Sequence, residues 1–342
     1  MLTDILPKLM SNKSLTQFEA EGAMNQIMSG NATPAQIGAY LVALRMKGET
    51  VDEIIGSARA MRAHAVKVTP SDSSAPLLDI VGTGGDGSHS FNISTTAAFV
   101  VAGTGRRVAK HGNRAASSKC GSADVLEAAG VSMDLTPDQV ARCSDTVGIG
   151  FMFAPRFHPA MKHAIGPRRE LKQRTIFNIL GPLTNPAGAT HQLTGVYDPH
   201  LTETLACVLG ELGSKAAMVI HSQDGLDELT TSGPNRVSQL LPDGSVHSFE
   251  LNPHDLGLSN SDQAKMTGGS AKDNVNIMFD ILTGKIDDVR KDAVLLNSAA
   301  AIATENGDLN IAMQEARTAL ENGAALQKLE ALVESSQKFA EL

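Results

Sequence analysis

The stretch Leu77-Leu78-Asp79-Ile80-Val81-Gly82-Thr83-Gly84-Gly85-Asp86-Gly87, followed by Asn92-Ile93-Ser94-Thr95, decides how the chain reads. A short apolar run ended by a glycine-rich turn predicts a buried strand, and Thr95 to Ala102 beyond it predicts a helix. A strand, a glycine turn and a helix N-terminus in that order let backbone N–H groups approach an anion, and the helix end adds partial positive charge. This is phosphate-binding architecture, although the same glycines also describe a structural turn that tolerates positive φ. No Gly-Lys-Ser/Thr follows, and the spacing is not Gly-x-Gly-x-x-Gly, so neither the common nucleotide loop nor the dinucleotide fingerprint applies.

Downstream of this turn, Val108-Ala109, Leu193 to Tyr197 and Ala217 to Ile220 read as further buried strands, with a helix over Leu201 to Leu212 between two of them. That alternation predicts a parallel α/β sheet. Val294 to Ala303 and Ile311 to Leu342 read as Ala- and Glu-rich helix covering a sheet face. Upstream, the first 65 residues carry three helix starts: Thr16 with Glu19, Thr33 with Pro34 and Gln36, and Thr50 with Glu53. Each places a hydroxyl before the first turn and a carboxylate or amide at the third helical position, so three helices are expected. Asp52-Glu53 is then a first-turn acidic pair favoured by the helix dipole. Val68 to Pro76, rich in Pro, Ser and Thr, has the composition of a hinge.

The chain's 342 residues suggest about two domains, and 42% hydrophobic with 19% charged residues is the balance of an ordinary globular protein. With no Trp, 4% aromatics and a net charge of −8, the composition disfavours the stacking platforms and basic groove that nucleic acids need, and no nucleic-acid partner is expected. Cys120, Cys143 and Cys207 form no Cys-x-x-Cys pair, which argues against a disulfide framework or a zinc site and for a reducing cytoplasm. No segment approaches the ~20 apolar residues of a membrane span, so a cytoplasmic protein without membrane contact is expected.

Three more clusters carry chemistry. Lys110-His111-Gly112-Asn113-Arg114-Ala115-Ala116-Ser117-Ser118 interleaves cations, an amide and hydroxyls, a string suited to a phosphorylated sugar or, more blandly, to a solvated basic loop. Asp227-Glu228 follows the strand ending at Ile220; adjacent acids at the carboxyl edge of a sheet suit Mg²⁺, and they equally suit solvated surface. Arg168-Arg169-Glu170-Leu171-Lys172 offers an arginine for a carboxylate, or one exposed helix face. His158 and His163 are five apart and read as structural or substrate-lining, and Cys120 as a buried small hydrophobe.

Taken together with Cys120-Gly121-Ser122-Ala123-Asp124, these clusters resemble, in order and spacing over essentially the whole chain, the anthranilate phosphoribosyltransferases of tryptophan biosynthesis. The resemblance implies a small N-terminal helical domain and a larger α/β domain with a mostly parallel central sheet, as in pyrimidine nucleoside phosphorylases. It implies a helical domain over 1–70, rejoined by part of about 172–192, and an α/β domain over 76–171 and 193–342, with a homodimer contacting through the helical domains. It places phosphoribosyl pyrophosphate (PRPP) against Gly82, Gly85, Asp86, Ser90, Asn92, Ile93, Ser94, Thr95, Lys110 to Ser118 and Ser122. Gly82, Asn113 and Arg168 would face anthranilate, with Arg168 near its carboxylate and Asn113 near its amine. Ser94, Asp227 and Glu228 would hold Mg²⁺, two ions per monomer. The implied reaction joins the amine of anthranilate to C1 of the ribose and releases pyrophosphate, the second step from chorismate to L-tryptophan. A pyrimidine nucleoside phosphorylase and a nucleic-acid-binding homologue without transferase activity are the rivals; the first has a different phosphate loop and basic loop, and the acidic balance opposes the second.

Overall fold

The computed structural model describes residues 2–72, 74–115, 119–258 and 263–341. The three helix starts each form a capping box: Thr16 opens α2 (Gln17–Met28), Thr33 opens α3 (Pro34–Lys47) and Thr50 opens α4 (Val51–His64). The N-terminal region holds four helices instead of three, because α1 (Leu2–Met10) precedes them with Pro7 inside and buries Leu2, Ile5 and Leu9. Glu53, in the acidic first turn of α4, does more than complement the dipole. It is fully buried and accepts from Thr50 N, Leu15 N and Lys47 Nζ, each at 2.8 Å, so one carboxylate ties three segments of the bundle.

Between α4 and the first strand the described residues form no regular element; Val68 N donates to Pro186 O at 3.1 Å and tethers the expected hinge. Ser73 of that hinge lies outside the described residues. Beyond it come β1 (Leu77–Gly82), α5 (Ile93–Gly103), β2 (Arg107–Gly112), α6 (Ser122–Ala128), α7 (Pro137–Thr146) and β3 (Ile149–Phe153). After α8 (Ala154–Phe157), α9 (Lys162–Leu171) and α10 (Phe177–Leu180), β4 (His191–Gly195), α11 (Leu201–Glu211) and β5 (Ala216–Ser222) extend the sheet on the other side of β1. β6 (Asn235–Leu240) and β7 (Val246–Leu251) complete it; the apolar-run pattern predicted neither of these two strands, nor β3. The order is β3-β2-β1-β4-β5-β6-β7, parallel through β5 and antiparallel over the last two. The sheet is therefore mixed and mostly parallel.

The C-terminal part holds α12 (Ala271–Leu282), α13 (Val289–Ala303), α14 (Leu309–Glu321) and α15 (Ala324–Ala340). The helical stretch expected from Ile311 onward forms as two helices divided at Gly323, whose φ of +78° a helix cannot continue through. One hydrophobic cluster surrounds α5, which is buried nearly end to end, together with α13 and α15. A second joins α1–α4 to Ile176, Ile179, Leu180 and Leu183 and to the face of α11. Strand order reverses direction at β1, with β2 on one side and β4 on the other. The crevice beyond the carboxyl ends of β1 and β4 is thus the topological switch point where ligands of open α/β sheets bind.

Candidate active site

Gly82 pairs with Gly195, and Gly195 with Ile220, so β1 and β4 end at one level and β5 runs two residues past it. The glycine turn leaves β1 there, and the loop after β5 brings Asp227 and Glu228 beneath it. Gly84 N donates to Asp227 Oδ2 at 2.6 Å, and Ser94 N, in the first turn of α5, donates to Glu228 Oε1 at 3.2 Å. Such an approach requires bare backbone: a Cβ on Gly82 would lie 2.3 Å from Asp227 Oδ2, and one on Gly195 only 1.5 Å from Asp227 O. Burial, then the facing charge of Asp86, pushes Asp227 up to about 7. Burial and Asp227 push Glu228 up to about 8, against the pull of Lys110. Two crowded carboxylates that resist ionisation form a place where a cation is welcome. Among the described residues no three His, Cys, Asp or Glu converge into a closed cage. Two carboxylates and a hydroxyl fit Mg²⁺, which completes its shell with water and phosphate oxygens.

Asp86 holds the turn from within, accepting from Ser88 N at 3.1 Å and Ser88 Oγ at 2.7 Å. Ser90 bridges to Thr267, and Phe91 N donates to Met266 O at 2.9 Å. A cleft of about 410 Å³ between Ser88, Ser90, Leu226, Ala264, Met266 and Thr267 opens beside it. Asn92 sits at the helix N-cap without capping through its side chain. Its Nδ2 donates to Cys120 O at 3.3 Å and its Oδ1 accepts from Asn274 Nδ2 at 2.8 Å, so it joins the turn to α12. Ile93 and Thr95 are buried in α5.

The basic cluster is divided differently from its sequence reading. Lys110 and His111 belong to β2 and are buried rather than opening a loop. Lys110 Nζ donates to Ile80 O at 2.6 Å, under the glycine turn, where Asp79 and Glu228 supply opposing charge. Asp79, fully buried and pushed up to about 6 by that burial, accepts from Asn185 Nδ2 at 2.7 Å and His111 N at 3.3 Å. Sequence reasoning missed Asp79 and Asn185 as site residues. The available signal was an acid in the middle of the apolar run Leu77 to Val81, which needs a partner wherever it is buried. His111 and His158 face each other with ring centroids 5.0 Å apart, and burial holds them neutral, down to about 3 and about 4.

Gly112 and Asn113 leave the strand, and Ser122 Oγ donates to Asn113 O at 3.3 Å, so those three stand together. Arg114 is engaged elsewhere, pairing with Glu127 at 2.6 Å and Asp124 at 3.1 Å, while Ala115 N donates to Asp124 Oδ2 at 2.9 Å. Ala116, Ser117 and Ser118 lie outside the described residues. Arg168, in the last turn of α9, is half-buried with its guanidinium 5.1 Å from the centre of the Phe177 ring, and burial lowers its pKa. The alternative, one exposed helix face, does not hold for Arg168, although Arg169 and Lys172 are exposed. Arg174, also missed, donates through Nη2 to Gly85 O and lies 4.2 Å over the Tyr197 ring. The thiols offer no nucleophile: burial pushes Cys120 and Cys143 up to about 11 and raises Cys207.

Residues 3–65 match the helical bundle domain of a glycosyl transferase family, and residues 74–326 match its a/b domain. Fold and site together mark a glycosyl transferase of two domains. The chain is 52% identical to the anthranilate phosphoribosyltransferase of Moorella thermoacetica over 99% of this chain and 100% of that one. It is 40% identical to the crystal structure of the enzyme from Thermus thermophilus, with a TM-score of 0.92 over 98% of this chain and 99% of that one. The Saccharomyces cerevisiae enzyme in complex with PRPP and Mg matches at 28% identity and a TM-score of 0.90, over 98% of each chain. The same yeast enzyme in complex with 4-fluoroanthranilate matches at 27% identity and a TM-score of 0.88, again over 98% of each. The chain belongs to the anthranilate phosphoribosyltransferase family.

Proposed function

We propose that the chain transfers the phosphoribosyl group of PRPP to the amine of anthranilate in tryptophan biosynthesis, with magnesium as cofactor. The observation that carries this is the meeting of the glycine turn, the first turn of α5 and the Asp227–Glu228 pair at the ends of β1, β4 and β5. A diphosphate would rest against the turn from Gly82 to Ser90 and the N-terminus of α5, Asn92 to Thr95, with Gly112, Asn113 and Ser122 on the ribose side. Lys110 contributes its charge from below the turn. Arg114, held by Asp124 and Glu127, shapes the loop after β2 and is a weaker candidate for direct contact.

Ser94, Asp227 and Glu228 would hold the magnesium, two ions per chain as the resemblance implies, and bound magnesium neutralises charge on the departing pyrophosphate. Everything else in the step is position and electrostatics. The amine nitrogen of anthranilate forms a bond to C1 of the ribose, the C1–O bond breaks with its electron pair leaving on pyrophosphate, and the nitrogen then releases one proton. An arylamine is neutral near pH 7, so no strong base is required, and none of the described thiols is activated for a covalent route. The glycine-turn N–H groups and α5 stabilise the growing charge where it appears. Closure about the 68–76 segment would shield the sugar pyrophosphate from water.

Arg168 is the proposed carboxylate clamp. A half-buried guanidinium over an aromatic face, its charge penalised by burial, has its desolvation offset when an anion docks. R168A is expected to raise the KM for anthranilate at least tenfold and to move that for PRPP less than threefold, measured by steady-state kinetics; the reverse split would refute the assignment. A homodimer through the helical region is proposed as well, because Met10, Phe18 and Met46 are 80%, 80% and 83% exposed. No helix among the described residues is long and apolar enough to cross a membrane; a cytoplasmic location is proposed.

A further inference from the structure

We infer that Arg174 is a positioning residue: its contact with the Gly85 carbonyl holds the Gly85–Asp86 peptide so that the Asp86 N–H faces the diphosphate of PRPP. The inference rests on the PRPP site proposed above. Gly84, Gly85 and Gly87 all have positive φ, at +66°, +76° and +78°, and a glycine turn without side chains rotates its peptide planes at little cost. Loop N–H groups bind an anion only while they point at it.

In a planar trans peptide the C=O and N–H point in opposite directions, so whatever fixes the Gly85 carbonyl also fixes the Asp86 N–H. Arg174 Nη2 donates to that carbonyl, and a Cβ on Gly85 would lie only 3.8 Å from Arg174 Nε. Among the described residues the N–H groups of Gly85, Asp86 and Gly87 have no acceptor within the protein, whereas Gly84 N is taken by Asp227 and Ser88 N by Asp86. Three consecutive N–H groups are thus left for a ligand, and the middle one is oriented from behind.

Arg174 is exposed, and an exposed arginine ordinarily samples many rotamers. Here its guanidinium lies 4.2 Å over the Tyr197 ring. Tyr197 is itself fixed to the turn: its N donates to Thr83 Oγ1 at 3.1 Å, and Thr83 N donates to Gly195 O at 2.9 Å. The platform, the arginine and the peptide they orient form one closed circuit around the turn.

The test measures KM for each substrate and, by calorimetry with Mg²⁺ present, the affinity for inorganic pyrophosphate. R174A is expected to raise the KM for PRPP and the Kd for pyrophosphate about tenfold, the cost of one misdirected donor, and to leave the KM for anthranilate within twofold. Y197L keeps the guanidinium charge but removes its platform, and is expected to weaken pyrophosphate binding at least threefold. Y197F restores the ring and should return binding to within twofold of the parent. R174A with unchanged PRPP and pyrophosphate affinities overturns the inference, as does a Y197L indistinguishable from the parent, which would make Arg174 a direct charge contact. A parent protein that binds pyrophosphate yet transfers nothing to anthranilate would defeat the functional reading, while the pyrophosphate titrations would still decide the role of Arg174.

Discussion

D227N/E228Q is expected to lose about a thousandfold or more in turnover while folding as well as the parent. Loss of activity follows from removing the charge proposed to hold magnesium. Retention of the fold follows from the pKa directions. Both carboxyls lie above their ordinary values in the folded state, near 7 and 8, so their ionisation opposes folding. Their favourable contribution is complete below about pH 4 and is lost as pH rises through the folded values. Without metal, the double variant at pH 8 should therefore melt no lower than the parent, and Mg²⁺ should raise the melting temperature of the parent only. A variant that unfolds at pH 8, or that keeps its turnover, would show that the pair is structural or idle.

G195A should be the most damaging single methyl group in the site. Its Cβ would stand 1.5 Å from Asp227 O and 2.4 Å from Asp227 C, which are backbone atoms and cannot step aside as a side chain end would, and Gly195 itself is held between β1 and β5. Overpacking against backbone is expected to cost about 3 kcal/mol, a fall in melting temperature of roughly 4–6 °C for a chain of this length, with activity lost as the acid pair is displaced. G82A meets the movable Asp227 carboxylate at 2.3 Å, so it should fold better than G195A and yet lose magnesium affinity. Thermal melts of the two variants decide this; a G195A protein with parental stability would mean that β4 and the acid loop are not held as described.

The helix caps were legible because a capping box is complete within four residues, and the glycine turn and acid pair because each is a contiguous motif. What failed to show depends on partners distant in sequence. Charged Lys110 and His111 suggested a loop, yet Asp79, about thirty residues earlier, and the Ile80 carbonyl let them finish a buried strand. The strands β6 and β7 carry polar residues along much of their length, and Ser238 and Ser248 share a hydrogen bond of 2.8 Å across them, so neither stood out as an apolar run. Helix α1 has Pro7 inside and no hydroxyl cap to announce it. Arg174 and Asn185 act on the glycine turn and on Asp79 from about ninety and one hundred residues away, and only folding brings them there.

The decisive measurement is the fluorescence of anthranilate mixed with the purified protein, PRPP and Mg²⁺. Fluorescence should fall in proportion to the PRPP supplied, should stay constant when either PRPP or Mg²⁺ is omitted, and should stop falling when a chelator is added in excess. Constant fluorescence in the complete mixture would contradict the proposed transfer, and undiminished consumption in excess chelator would contradict the role given to Asp227 and Glu228.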